Sequence, residues 1–227
     1  MIQISHTPLG DQVYAIIWEQ IVSHRLQQGD KISDLRLSEE LGVSRTPVRE
    51  ALHRLAQDGI VRTESRRGFF VNSFSSADIR EVYDIRTALE VLVVRLALPH
   101  LADGELDEAQ RAVEEARQQI VSGAEGAQEH WLEIDRAFHR MLAQKGQNRR
   151  LESMLAGLQI QIGVFQVYGI HSSPLLLLSI DHHKMILAAL KQRDQTAAEQ
   201  AMERHIQEVK DSVLAELVSR ELQPAVE

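Results

Sequence analysis

Gly42-Val43-Ser44-Arg45-Thr46-Pro47-Val48-Arg49-Glu50-Ala51-Leu52 decides the reading of this 227-residue chain. Gly42 suits a tight turn at positive φ, which is cheap only without a Cβ. Ser44 is a good N-cap, with a hydroxyl able to accept from an orphan backbone N–H. Pro47 falls in the first turn, where N–H groups lack intrahelical partners. Val48, Leu52 and Leu55 recur at helical spacing and give one apolar stripe. Arg45, Thr46 and Arg49 then share the opposite, exposed side. Arginine pairs bidentately with guanine O6 and N7, so two arginines one turn apart near a helix start suit major-groove reading.

The flanks support this. Leu35-Arg36-Leu37-Ser38-Glu39-Glu40-Leu41 reads as a supporting helix before the turn. Asp58-Gly59-Ile60-Val61 closes the recognition helix at a glycine and opens a strand. Arg62 to Gly68 is a basic, glycine-bearing turn segment, and Phe69-Phe70-Val71 is a second strand, which together make a β-wing. Helix, helix, wing in this order is a winged helix-turn-helix. An amphipathic helix over about residues 10–28 precedes it, with Val13, Ile16, Ile17, Ile21 and Leu26 inward and Gly29-Asp30 at its end.

After the polar segment Asn72-Ser73-Phe74-Ser75-Ser76, strand signals vanish. The pattern predicts helices over 76–98, 103–121, 126–144, 149–168, 175–192 and 194–220, with Ser172-Ser173-Pro174 and Asp194 as start signals. The predicted fold is mainly α: a winged helix-turn-helix DNA-binding domain over 1–74 and an all-α helical bundle over 75–227.

Net charge is −8, unusual for a DNA-binding chain. The first 74 residues carry as many Lys and Arg as Asp and Glu, so residues 75–227 hold the whole excess. A neutral domain with a local basic face binds DNA with strong salt dependence. There is no cysteine, which excludes disulfides and thiolate metal sites and fits a reducing cytoplasm. No apolar run approaches the length of a membrane span, and the start lacks the regions of a signal peptide.

The stretches "LSEELGVSRTPVREALHRLAQDGIV" and "RRGFFV" closely resemble the DNA-binding domain of GntR-family bacterial transcription regulators. The resemblance implies base and phosphate contacts from Arg45, Thr46 and Arg49, and a wing tip at Gly68 that enters the minor groove, with phosphate contacts from Arg66 and Arg67 beside it. Some members carry an arginine where this chain has Leu35; here Arg36 stands next to it. The candidate DNA-contacting set is Arg36, Ser44, Arg45, Thr46, Arg49, Arg66, Arg67 and Gly68.

In the bundle, Asp135 and His139 lie one turn apart on one helix, His183 on another and His205 on a third. Imidazole nitrogens with one carboxylate form a borderline donor set suited to Zn²⁺ or Ni²⁺. Taken singly, each histidine is more simply a surface or hydrogen-bonded residue. The stretches "YDIRTALE", "DRAFHRML", "HKMILAAL" and "AMERHI" resemble the FCD effector domain of the FadR subfamily. In its metal-binding members the ligands fall at positions matching Asp135, His139, His183 and His205, and His182 falls outside them. A metal floor suits a small carboxylate effector. Arg86 is the candidate second anchor, alternatively an ion-pair partner of Glu90 at i+4, and both are placed in the effector site. Gln159, Gln161, Gly163, Phe165, Gln166, Val167 and Tyr168 are candidate pocket residues, in a helix where related domains often carry an arginine and this one has none.

These features predict a homodimeric, ligand-responsive regulator reading a short inverted repeat of double-stranded DNA, more simply a repressor than an activator, and not an enzyme or a membrane protein. The bundle is the expected dimer interface by resemblance. Three alternatives remain at this stage: a direct metal sensor, a structural metal, and a metal-dependent hydrolase fused to a winged helix.

Overall fold

The computed structural model describes residues 8–23, 25–169 and 173–221, the side chains at 166–169, 173 and 218–221 excepted. The side chains of Gln166, Val167, Tyr168 and Ser173, and the whole of Ser172, lie outside the described residues. Two compact units divide the chain, Met1–Ser75 and Ser76–Glu227.

The first unit contains α1 (Leu9–Val22), β1 (Lys31–Ile32), α2 (Asp34–Leu41), α3 (Arg45–Gln57), β2 (Val61–Glu64) and β3 (Gly68–Val71). Val48, Ala51, Leu52 and Leu55 form the buried stripe of α3 and meet Val13, Ile17 and Ile21 of α1. Each fully buried aliphatic chain contributes about 1.5–3 kcal/mol. Gly42 adopts φ 65°, and its N–H and that of Val43 bond back into the last turn of α2, which makes the sharp turn between α2 and α3. The sheet order is β1-β3-β2, antiparallel throughout, with Val61 opposite Val71 and Ile32 opposite Phe69.

Several local expectations are corrected. Helix α1 ends at Val22, where Ser23 closes it onto Glu19, so Leu26 lies beyond it. Ile16 is 39% exposed and does not join the core. Ser44 stands at the start of α3, but its hydroxyl makes no capping bond; Ser33 is the serine that caps, accepting from the Arg36 N–H at 3.2 Å. The two-residue strand β1 has no period to read, and exists because β3 offers it an edge. Gly68 (φ 99°) is the first residue of β3, paired with Glu64, so Ser65-Arg66-Arg67 form the tip, with Arg66 itself at φ 63°.

The second unit is helical: α4 (Ser76–Ala97), a single 3₁₀ turn at Leu98–His100, α5 (Asp103–Ser122), α6 (Ala127–Lys145), α7 (Arg149–Gly169), α8 (Ser173–Lys191) and α9 (Gln195–Glu221). The boundaries follow the glycine, proline and cap signals; Asp194, for example, accepts from the Ala197 N–H at 3.0 Å. Helix α4 packs against α6, α7 and α9, and α8 packs between α5 and α9. The predicted fold class, a winged helix-turn-helix followed by an all-α bundle, is the observed one. No described helix is long and apolar enough to cross a membrane.

Candidate functional site

On the DNA-binding unit, Ser44, Arg45, Thr46 and Arg49 are all exposed at the start of α3. Both arginines lean toward one carboxylate of α2. Arg45 Nη2 donates to Asp34 Oδ2 at 2.8 Å, and Arg49 Nη1 lies 3.7 Å from the same oxygen. That hydrogen bond holds the Asp34 carboxyl below its usual range. Arg36 is 80% exposed and pairs with Glu40 at 2.6 Å. In the wing, the Arg62 and Arg67 guanidiniums lie 5.3 and 5.4 Å from the Phe70 ring centre, which explains how a wing phenylalanine is nearly buried. Glu64 pairs with both arginines, whereas Arg66 at the tip has no partner among the described residues.

In the bundle, the four candidate metal ligands come together, and all are buried. Helix α6 supplies Asp135 and His139, α8 supplies His183 and α9 supplies His205. Around Asp135 Oδ1 stand His183 Nε2 at 3.3 Å, His139 Nε2 at 3.8 Å and His205 Nε2 at 4.0 Å. One donor atom from each residue falls within 4.8 Å of the others. Ligands about 2.0–2.2 Å from a zinc ion stand roughly 3–4 Å from one another, so a small adjustment suffices. None of the three Nε2 atoms makes a hydrogen bond among the described residues, a costly arrangement for buried polar atoms unless something else takes their lone pairs.

The surroundings orient these rings. His183 Nδ1 is 2.9 Å from the Ser179 carbonyl, which fixes the proton on Nδ1 and leaves Nε2 as an acceptor. His139 Nδ1 lies 3.0 Å from Glu90 Oε1. Glu90 therefore backs a candidate ligand, a position that sequence reasoning missed because nothing in the i+4 spacing from Arg86 shows it. Trp131 and Phe138 set their ring edges against His183, with centroids 4.8 and 5.0 Å away. Burial pushes the His183 pKa down to about 4, and burial with neighbouring positive groups takes His205 well below the usual value. His182 is not one of these four residues; its Nε2 lies 3.1 Å from Glu208 and its ring stands edge-on to that of His205, with centroids 5.9 Å apart.

Arg86 is fully buried, and its Nε lies 3.6 Å from Glu90 Oε1, too far for a hydrogen bond. None of its three guanidinium nitrogens has a hydrogen-bond partner among the described residues. Its guanidinium is 5.7 Å from the Tyr83 ring centre, and burial pushes the Tyr83 phenol up to about 12, so it stays a neutral donor. Burial works to raise the Glu90 carboxyl, but His139 and Arg86 outweigh it and hold it low. Tyr83 also stacks on Phe165, one of the candidate pocket residues, at 6.2 Å, and the buried amide nitrogen of Gln159 has no hydrogen-bond partner among the described residues.

Residues 9–71 match the family model of bacterial regulatory proteins of the gntR family, and residues 81–208 match that of the FCD domain. The chain belongs to the GntR family, with a C-terminal FCD domain. It is similar to the HTH-type transcriptional repressor RspR of Escherichia coli K12, 30% identical over 91% of this chain and 89% of RspR. It is also similar to the solved structure of E. coli McbR, with a TM-score of 0.76 and 26% identity over 94% of this chain and all of McbR. A third likeness is one of fold: the metal-free FCD domain of TM0439, at 15% identity and TM-score 0.56, covers 65% of this chain and 99% of that domain. The GntR-family relatives are regulators of transcription and not enzymes, and the winged helix-turn-helix makes this chain a DNA-binding one.

Proposed function

We propose that this GntR-family regulator is a homodimeric cytoplasmic repressor whose FCD domain holds a divalent cation and responds to a small carboxylate effector. One observation carries the reading: buried imidazole nitrogens converge on Asp135 beside the buried guanidinium of Arg86, and among the described residues none of these imidazole Nε2 or guanidinium nitrogens has a hydrogen-bond partner. Asp135, His139, His183 and His205 would hold the ion, and their N/O chemistry favours Zn²⁺ or Ni²⁺. When bound, the ion supplies a Lewis-acidic positive anchor for a carboxylate oxygen. The depressed histidine pKa values keep the lone pairs of His183 and His205 available at neutral pH.

Charge argues for an anion. Asp135 and Glu90 offset only part of a dication and one guanidinium, so the site retains positive charge that a monoanionic ligand neutralises. Arg86 presents planar paired donors that match a carboxylate. Glu90 restrains Arg86 and His139 until the ligand arrives.

On the DNA side, Arg45, Thr46 and Arg49 read the major groove, with Arg36 and Ser44 on phosphates. The wing residues Arg66, Arg67 and Gly68 lie along the adjacent groove. Two copies match the halves of a short inverted repeat. Effector and DNA affinities are then reciprocally coupled, because each ligand favours one arrangement of the dimer. RspR is named a repressor, which supports repression here.

The test is thermal unfolding against a panel of small carboxylates, with the protein loaded with Zn²⁺ or Ni²⁺ or stripped. A ligand of the folded state raises the melting temperature by mass action. A carboxylate that stabilises the loaded protein, but neither the stripped protein nor Arg86→Met, supports the reading. No uptake of either metal overturns the cation site. Confirmed metal with no carboxylate response overturns the effector, and DNA affinity that then follows metal occupancy alone makes the protein a metal sensor.

A further inference from the structure

Arg45 and Arg49 are each about half exposed, yet both turn inward to the same Oδ2 of Asp34, whose side chain is only 17% exposed. Long surface arginines lose substantial rotamer freedom when they are fixed. Here the neighbouring helix has already fixed much of it. A guanidinium has five N–H donors, and Asp34 takes one, on Nη2 of Arg45. The remaining edge stays available for the O6/N7 pair of a guanine.

We propose that Asp34 is a specificity-determining residue of the DNA interface: it holds Arg45, and more loosely Arg49, in the pose for base reading and penalises their use as general phosphate contacts. This rests on the proposed DNA-contacting role of Arg45 and Arg49 and deepens it. The physical basis is an asymmetry between two docked states. In register, Arg45 can bond Asp34 and a base together, so the carboxylate keeps its partner. Out of register, Arg45 drawn to a phosphate must leave Asp34, and the anionic carboxylate, with only the looser Arg49 near it, loses its hydrogen-bonded partner against the DNA backbone. Like-charge juxtaposition of that kind selects against wrong partners more than it strengthens the right one.

The experiment uses the full-length protein and two short duplexes. One is enriched from a randomised library by the unaltered protein, and the other is its scrambled sequence. Binding is followed by fluorescence anisotropy across a salt series. Asp34→Asn, nearly isosteric and uncharged, should tighten the scrambled duplex, steepen its log–log salt slope by about one unit, and lower the enriched-to-scrambled affinity ratio about tenfold. Glu39→Gln, the same charge change on an exposed position of α2, should shift both duplexes together. In an Arg45→Ala background, Asp34→Asn should no longer change the ratio.

An Asp34→Asn protein that shifts both duplexes by one common factor, as Glu39→Gln does, overturns the proposal, since its charge then acts only through the general field. An unchanged ratio beside a clear loss from Arg45→Ala overturns it as well, while the contact reading stands. No loss from Arg45→Ala on the enriched duplex overturns the contact reading itself, and the proposal with it.

Discussion

The two units of this chain handle charge in opposite ways. On α3 and the wing, arginines stand in solvent, and Arg45, Arg49 and Arg67 lie within reach of a partly exposed carboxylate. In the bundle, Arg86, Glu90, Asp135 and three histidines are sealed from solvent, and most of their side-chain nitrogen atoms have no hydrogen-bond partner among the described residues. Exposed ion pairs contribute little to stability, so arginines on a surface can be spent on binding DNA. A buried, unsatisfied cluster costs free energy, and a fold keeps it where a ligand recovers that cost. The burial of charge thus marks the unit proposed to hold a ligand, as its exposure marks the DNA-binding one.

The largest expected effect lies in the sealed cluster. His183→Ala, or Asp135→Ala, should weaken metal affinity by more than about 100-fold, beyond the 10–100-fold typical of an outer partner such as Glu90→Gln. Metal content after dialysis measures this, and Trp131, packed on His183, should report binding by its fluorescence. Equal metal content in all three variants would break the contrast between the units.

Acid should also separate them. His183 has its folded pKa lowered to about 4, so its neutral form contributes stability above the unfolded value near 6.5. As pH falls from there toward 4, the unfolded chain takes up the proton first, and stability is lost. For the metal-free protein this amounts to about 3 kcal/mol from His183 alone, with His205 adding in the same direction. Chemical denaturation at pH 7 and pH 4.5 checks it, and a flat profile would show that the cluster is not sealed.

On the exposed unit, Arg49→Ala should cost about 1–3 kcal/mol of binding to a selected operator and leave the melting temperature unchanged. A fall in melting temperature with intact binding would place Arg49 in the fold rather than on the DNA. The smallest effect concerns the two serines. Ser33→Ala should lower stability by about 1 kcal/mol, because its hydroxyl caps α2. Ser44→Ala should leave stability nearly unchanged, and any effect it has should appear in DNA binding.

Much of this was legible because local signals are strong. The helix expected over 76–98 runs from Ser76 to Ala97, and the one expected over 103–121 runs from Asp103 to Ser122. Proline, glycine and capping residues punctuate the bundle and act within a few residues of themselves. The misreadings have physical causes. The apolar residues Ile16 and Leu26 fit a longer α1, yet the periodicity does not show where the backbone turns back at Ser23. Strand β1 is too short to carry a pattern, and it forms through pairing with Phe69 and Phe70.

By itself, the sequence determined the two-part architecture, the recognition helix with Arg45 and Arg49 on its outer side, and the residue types that favour a divalent metal. Those follow from periodicity, caps and donor chemistry, which are local. The tertiary structure decided which groups meet. It brought His183 and His205 from two other helices to the Asp135–His139 pair of α6, turned Glu90 toward His139, left Arg86 without a hydrogen-bond partner among the described residues, and set Asp34 beside Arg45 and Arg49. Those are contacts between side chains on different helices or turns, fixed by how the helices pack, and no spacing along the chain encodes them.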